Sequence, residues 1–318
     1  MREITLEELL EAGCHFGHQV TRHNPKSRDF VFEARDNIHI IDLAKTKEGL
    51  ESAAAFVKHI AESGKTLVVV GSKQQASDLV KEEVKRARVA GADGIYWVTA
   101  RWIGGLLTNF SEVSKNFKKL QNYTDLQKNE IERSKYTKKE LGLFEKERQK
   151  LENLYGGISE IPQAPQSLFI IDTHLEDLAV REATKTGVET VGIVDTNADP
   201  FVITHPIPAN DDAVGSIKLI VTYIVDAWIE GRMGALKKKE TEETQTPKET
   251  KGTDETKVAE EKVVSAEQKE KKMKKEKVVK EPKETEETQG KKETEAIVEP
   301  KKKGKPKKLA PSIQKLVA

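Results

Sequence analysis

Short apolar runs that close on a turn residue and give way to helix-spaced stripes predict an α/β fold with a parallel sheet. Residues 66–70 (Thr-Leu-Val-Val-Val) close on Gly71 and lead into Leu79, Val80, Val84 and Ala87. Residues 167–171 close on Asp172 ahead of Leu175, Leu178, Ala179 and Ala183, and residues 190–194 close on Asp195. These runs are apolar throughout rather than alternating, as strands covered on both faces must be. Their alternation with helical stripes places helices on both sides of the sheet.

Taken along the chain, Ile38-His39-Ile40-Ile41 precedes a helix carrying Leu50, Ala54, Val57 and Ala61. Residues 94–98 form a further strand, and Ile217, Ile220, Val221, Ile224 and Trp228 give the last helix its apolar stripe. The pattern breaks between Leu106 and Tyr155. There Phe110, Val113, Phe117 and Leu120, and then Leu141, Phe144, Arg148, Leu151 and Tyr155, step by three and four. Each set is a narrow seam of the kind that packs helix on helix, so an antiparallel helical hairpin projecting from the α/β body is expected. The hairpin is basic, with 12 Lys and Arg against 8 Asp and Glu over residues 101–155.

The whole chain has 318 residues, with 54 Lys plus Arg and 53 Asp plus Glu. That balance hides a division. From Lys237 onward there are 24 Lys, 18 acids and no aromatic ring, which leaves 30 bases and 35 acids before it. A ring-free stretch of Lys, Glu and Thr cannot bury enough apolar surface to offset its chain entropy, so 237–318 is expected to be a disordered tail. The organisation expected is an α/β domain from 1–105 and 156–236, a coiled-coil hairpin at 106–155, and the tail. One cysteine, Cys14, excludes a disulfide framework or a Cys-based zinc ribbon. The sequence holds no apolar run of membrane-spanning length, and its acidic N-terminus is unlike a targeting peptide. A soluble protein in a reducing compartment is expected.

Several groups could carry chemistry. The Gly71-Ser72-Lys73 turn could hold a phosphate at a helix start, but neither G-x-G-x-x-G nor G-x-x-x-x-G-K-[ST] occurs, which favours a structural loop. His15 and His18, beside Cys14 and near His23, have H-x-x-H spacing without a second ligand cluster, so loop hydrogen bonding is favoured over zinc. Asp172, Asp195, Asp199, Asp211 and Asp212 lie at strand ends, where α/β enzymes place catalytic or Mg²⁺ groups. No nucleophile–base pairing accompanies them, so capping and turn roles are favoured. The basic 22–28 loop offers Arg22, Lys26 and Arg28 to phosphates. Arg101-Trp102 beside Gly104 and Gly105 could set a guanidinium and a ring against a nucleotide; the plainer reading, not exclusive of it, is that Trp102 is a core residue at the hairpin's root and Arg101 pairs with an acid. Lys115, Lys118 and Lys119, at i, i+3 and i+4, share one helix face. Lysine runs at 271–275 and 301–308 could add salt-sensitive phosphate pairing.

The motifs at 12–19 (Ala-Gly-Cys-His-Phe-Gly-His-Gln), 24–26 (Asn-Pro-Lys), 38–46, 101–110 (Arg-Trp-Ile-Gly-Gly-Leu-Leu-Thr-Asn-Phe), 194–200 and 207–213 strongly resemble, in order, the bacterial small-subunit ribosomal protein S2 family. The resemblance runs from about Leu6 to Gly231 and leaves the tail uncovered. Departures are local: Cys14, an apparent insertion at residues 90–93, Val188-Glu189, and the 201–205 loop.

The resemblance implies a flavodoxin-like three-layer domain with a protruding coiled-coil hairpin. It also implies a non-enzymatic, cofactor-free structural role on the outer face of the small subunit, near the head–body junction. Expected partners are 16S rRNA, neighbouring small-subunit proteins and, in many bacteria, the large mRNA-binding protein S1. A cytoplasmic, ribosome-bound chain is expected, with neither a membrane partner nor a free homo-oligomer. The RNA-binding candidates are Arg22, Lys26, Arg28, Arg101, Lys115, Lys118 and Lys119. The competing expectation is a nucleotide- or phosphometabolite-dependent doubly wound enzyme with Lys73 and the strand-end aspartates in its pocket.

Overall fold

The computed structural model describes residues 2–245. Helix α1 (Leu6–Glu11) starts from a capping box in which Thr5 and Glu8 exchange side-chain and backbone bonds. Strand β1 (Phe16–Gln19) pairs antiparallel with β3 (Ile38–Ile41), which pairs antiparallel with β2 (Val31–Arg35). Then come α2 (Leu43–Glu62), β4 (Leu67–Val70), α3 (Gln74–Val89) and β5 (Ile95–Val98). Helices α4 (Phe110–Lys128), α5 (Glu130–Arg133) and α6 (Lys138–Tyr155) precede β6 (Ser167–Ile170), α7 (Asp177–Thr186), β7 (Glu189–Val194), β8 (His205–Pro208) and α8 (Val214–Gln245).

The expected parallel sheet is present, with five strands in the order β5-β4-β6-β7-β8. Consecutive residues of β4 serve two cores, which is why the run is apolar without alternation. Leu67 and Val69 join α2, α3 and α8 on one face, through Leu50, Val57, Val80, Val84, Ile220, Ile224 and Trp228. Val68 and Val70 join α7 and the bases of α4 and α6 on the other, through Ala179, Ala183, Val113, Phe117 and Tyr155. Each large side chain removed from water in these layers contributes roughly 1.5–3 kcal/mol.

Two placements differ from the sequence reading. The 38–42 run lies in the separate antiparallel sheet, not in the parallel one. The fifth parallel strand is β8, which carries Pro206 and Pro208 and is not among the strands expected from the apolar runs. Proline lacks the N–H a central ladder needs, so this strand is tolerated only at the sheet edge, where it sits.

Helices α4 and α6 run antiparallel. Phe117 meets Tyr155 (ring centroids 5.7 Å apart), and Tyr123 stacks on Phe144 (5.5 Å). The seam is unevenly buried. Val113, Phe117, Leu120 and Tyr155 are buried in the body's second core, whereas Leu141, Phe144, Arg148 and Leu151 are half-buried, and residues 127–140 are all exposed. Helix α8 continues past Lys237 to Gln245. The rest of the expected tail, with its two lysine runs, lies outside the described residues. Among those residues no helix is long and apolar enough to cross a membrane.

Candidate nucleic-acid interface and the strand-end carboxylates

The basic 22–28 loop folds as two short 3₁₀ turns, Val20–Arg22 and Pro25–Phe30, between β1 and β2. It is tied to the loop after β7. The Asn24 N–H donates to Thr196 O (2.7 Å), the His18 N–H to Thr196 Oγ1 (2.9 Å), and the Ser27 hydroxyl to Ala198 O. Gly17 permits the close approach, since a Cβ there would stand 2.7 Å from Thr196 Cγ2. Lys26 ion-pairs with Asp199, whereas Arg22 and Arg28 are exposed with no side-chain partner among the described residues.

Arg101 opens the connection from β5 to α4, and a buried carboxylate on α7 shapes that connection. Glu182 is 7% exposed and accepts from the Gly105 N–H (2.7 Å), the Leu107 N–H (3.3 Å) and the Thr108 hydroxyl (3.4 Å). Gly105, at φ +92°, makes the turn. Arg101 is left exposed and unpaired among the described residues, while Trp102 is 6% exposed within the second core. The stacking role weighed for Trp102 is therefore corrected to a packing role. Glu182 was missed because an acid beside Ala183 reads as the wet side of an amphipathic helix.

On α4 the three candidate lysines diverge. Lys115 Nζ lies 2.7 Å from Glu112 Oε1, and Lys119 Nζ lies 2.7 Å from Glu147 Oε1 across the arm, above the Tyr123 ring. Lys118 is exposed without such a partner among the described residues. All seven candidates are exposed, yet three are neutralised locally and four (Arg22, Arg28, Arg101 and Lys118) are not.

The strand-end aspartates form a different kind of cluster. Lys73, at the start of α3, sits 2.8 Å from Asp172 Oδ2, 2.8 Å from Asp211 Oδ1 and 2.7 Å from Asp212 Oδ1, with its side chain 15% exposed. Burial works against its charge, but the three carboxylates outweigh burial and hold its pKa well above the usual lysine value. Burial, reinforced by Asp172 and Asp195, lifts Asp211 to about 7. Lys73 bonding keeps Asp212 low. His18 Nδ1 lies 3.1 Å from Asp195 Oδ2 and Nε2 lies 3.5 Å from Asp212 Oδ2, and the Asp195 hydrogen bond raises the imidazole pKa.

The weighed pairing of His18 with His15 and Cys14 is replaced by this arrangement. Cys14 is buried, with burial raising its pKa, and His15 packs at a tilt against Phe16. Donor atoms of His18, Asp195 and Asp211 lie within 4.8 Å of one another, close enough to share a cation. Sequence could not assemble this group, because its members come from the ends of several strands far apart along the chain. For a nucleotide the cluster is hostile. A phosphate approaching Lys73 meets three carboxylates that already neutralise it.

A family model described as "Ribosomal protein S2" matches residues 9–231. Among curated relatives, "Small ribosomal subunit protein uS2" of Geotalea uraniireducens is 46% identical over 242 residues, 76% of this chain and 92% of the relative. This chain belongs to the ribosomal protein S2 family. Relatives of the same name from Coprothermobacter proteolyticus and Fusobacterium nucleatum are 45% and 41% identical, each over 74% of this chain and over 85% and 92% of their own lengths. Membership carries a structural ribosomal role and not an enzymatic one, so the doubly wound enzyme expectation is set aside.

Proposed function

We propose that this protein is a structural constituent of the small ribosomal subunit that grips 16S rRNA through cations held on two rims of an otherwise acidic body. The observation that carries the reading is the set of exposed, locally unneutralised guanidinium and ammonium groups, Arg22, Arg28, Arg101 and Lys118. These can meet phosphates without first breaking an internal ion pair. Lys26, Lys115 and Lys119 would exchange a surface carboxylate for a phosphate, at small expense because exposed pairs are weak. Contacts of this type fix orientation more than base sequence.

The body is read as flavodoxin-like. Counting only the parallel strands in chain order, the sheet runs 2-1-3-4-5, the order of that fold. Its ligand crevice would lie between β4 and β6, where Lys73 and Asp172 pair instead. Residues 106–155 are read as a coiled-coil arm whose base is packed into the body. Neighbouring small-subunit proteins, and S1 where it is present, are the protein partners proposed. The location is the cytoplasm, on ribosomes, without a free homo-oligomer.

In a sucrose gradient at moderate salt the protein should co-sediment with small subunits. Reversing Lys115, Lys118 and Lys119 to Glu should lower its occupancy in salt-washed subunits. Sedimentation of the unaltered protein away from subunits would overturn the reading.

A further inference from the structure

Within the reading of the arm as RNA-binding, on which this rests, we propose that its phosphate-binding rail is the outer face of α6, formed by Lys139, Lys146 and Lys150. At 3.6 residues per turn these three fall within a sector of about 40° and span roughly 17 Å of helix. Leu141, Phe144, Arg148 and Leu151, the seam toward α4, lie on the opposite side. All three lysines are exposed, and none has an ion-pair partner among the described residues.

Lysines opposite a seam are often only solvated, and the acids of α6 are what separate this face from that reading. Glu140 caps the helix through Thr137. Glu145 is held by Arg148 (3.1 Å) and Gln149 (2.7 Å). Glu147 is held by Lys119 (2.7 Å) and the Tyr123 hydroxyl (2.9 Å), and Glu152 by Arg148 (2.6 Å). The hydrogen bonds of these carboxylates run to the helix start, along the flanks or across to α4, and Glu147, which also feels the charge of Lys150, is held by Lys119. The matching face of α4 is compensated, because both Glu112 oxygens hold Lys115 (2.7 and 2.8 Å) and Glu147 holds Lys119. Of Lys115, Lys118 and Lys119 on α4 only Lys118 is left uncompensated, so the longest line of free ammonium groups on the arm is the one on α6. A line of ammonium groups at intervals of about 10 and 6 Å can meet several phosphates of a nucleic-acid backbone, whose negative charges are dense and continuous along the strand. An acidic protein surface rarely carries so continuous a line of charge.

The test uses the full-length protein and 16S rRNA, titrated across a salt series. The triple variant Lys139→Gln/Lys146→Gln/Lys150→Gln is compared with the double variant Lys115→Gln/Lys119→Gln. Glutamine keeps nearly the helix propensity of lysine, and circular dichroism confirms the fold. The triple variant should bind about tenfold more weakly at low salt, and its slope of log K against log salt should be shallower by about 2, from three lost phosphate contacts. The double variant should lose less than the triple variant, because Lys115 and Lys119 must each leave a carboxylate to meet a phosphate. A triple variant with wild-type affinity and slope overturns the rail while leaving the wider reading in place. If it binds rRNA normally yet loses subunit occupancy, the face meets a protein and the rail is again overturned. Wild-type protein that fails to bind rRNA defeats both.

Discussion

At the strand ends, Lys73 is 15% exposed and ringed by Asp172, Asp211 and Asp212 at 2.7–2.8 Å; on α4, Lys118 stands in solvent with no such partner among the described residues. Both side chains carry one positive charge, and both sit where a sequence reader would place a phosphate contact. The difference is the carboxylate count around each. Lys73 has its charge committed to holding β4, β6 and the 209–213 turn together. Lys118, like Arg22, Arg28 and Arg101, has a charge available to a partner. The strand-end edge that serves catalysis in other α/β proteins is here a structural rivet, and the proposed reading puts recognition at the rims.

The largest expected effect lies at the rivet. Lys73→Met leaves three carboxylates facing one another with no counter-charge, and breaking a buried pair on one side typically loses about 3–5 kcal/mol. With Lys73 only partly buried, the lower end of that range is expected in urea denaturation of the free protein. The variant should gain no affinity for ATP, GTP or NAD. A neutral effect on stability would dissolve the contrast with Lys118.

Next in size is Glu182→Ala, which takes the acceptor away from three donors in the turn below Arg101. Buried donors left unpaired lose about 1–3 kcal/mol each, so a total of about 2–4 kcal/mol is expected after relaxation. Hydrogen exchange at the Gly105 and Leu107 amides should accelerate. Unchanged protection there would mean that the loop holds its shape without the carboxylate.

Asp211 provides a pH test of the rivet. Its folded pKa of about 7 lies above its ordinary carboxylate value, so below that ordinary value both folded and unfolded chains hold the proton. As pH rises toward 7 the unfolded chain releases the proton first, and this group removes stability. Above about 7 its contribution is flat. Asp211→Asn should therefore gain on wild type between pH 4 and 7, with no further change above. A difference that stays constant across the window would show Asp211 titrating normally.

The four buried runs of the parallel sheet and the stripes of α2, α3 and α8 were legible because burial on both faces forces continuous apolar sequence. Strands β1 and β2 were not, because Phe16 and Phe32 are exposed and leave no alternation to read. Strand β8 was masked by its prolines. The α4 and α6 seams were legible as spacing, but their unequal burial was not, since periodicity does not say which end meets the body. At the candidate interface, residue type and loop position found the exposed cations. Which of them were already neutralised depended on Glu112, Glu147 and Asp199 arriving from a neighbouring turn, an opposing helix and a distant loop. The Lys73–Asp172–Asp211–Asp212 group could be assembled only by the sheet.

The central claim is that rRNA is held by rim cations free of internal partners, and that Lys73 is not among them. The most direct measurement is the salt-dependent affinity of the full-length protein for 16S rRNA with Arg22, Arg28, Arg101 and Lys118 all changed to Gln. At unchanged stability, affinity should fall by about two orders of magnitude, and the log–log salt slope should flatten by about 3. A quadruple variant that binds rRNA with the affinity and slope of the unaltered protein would contradict the account.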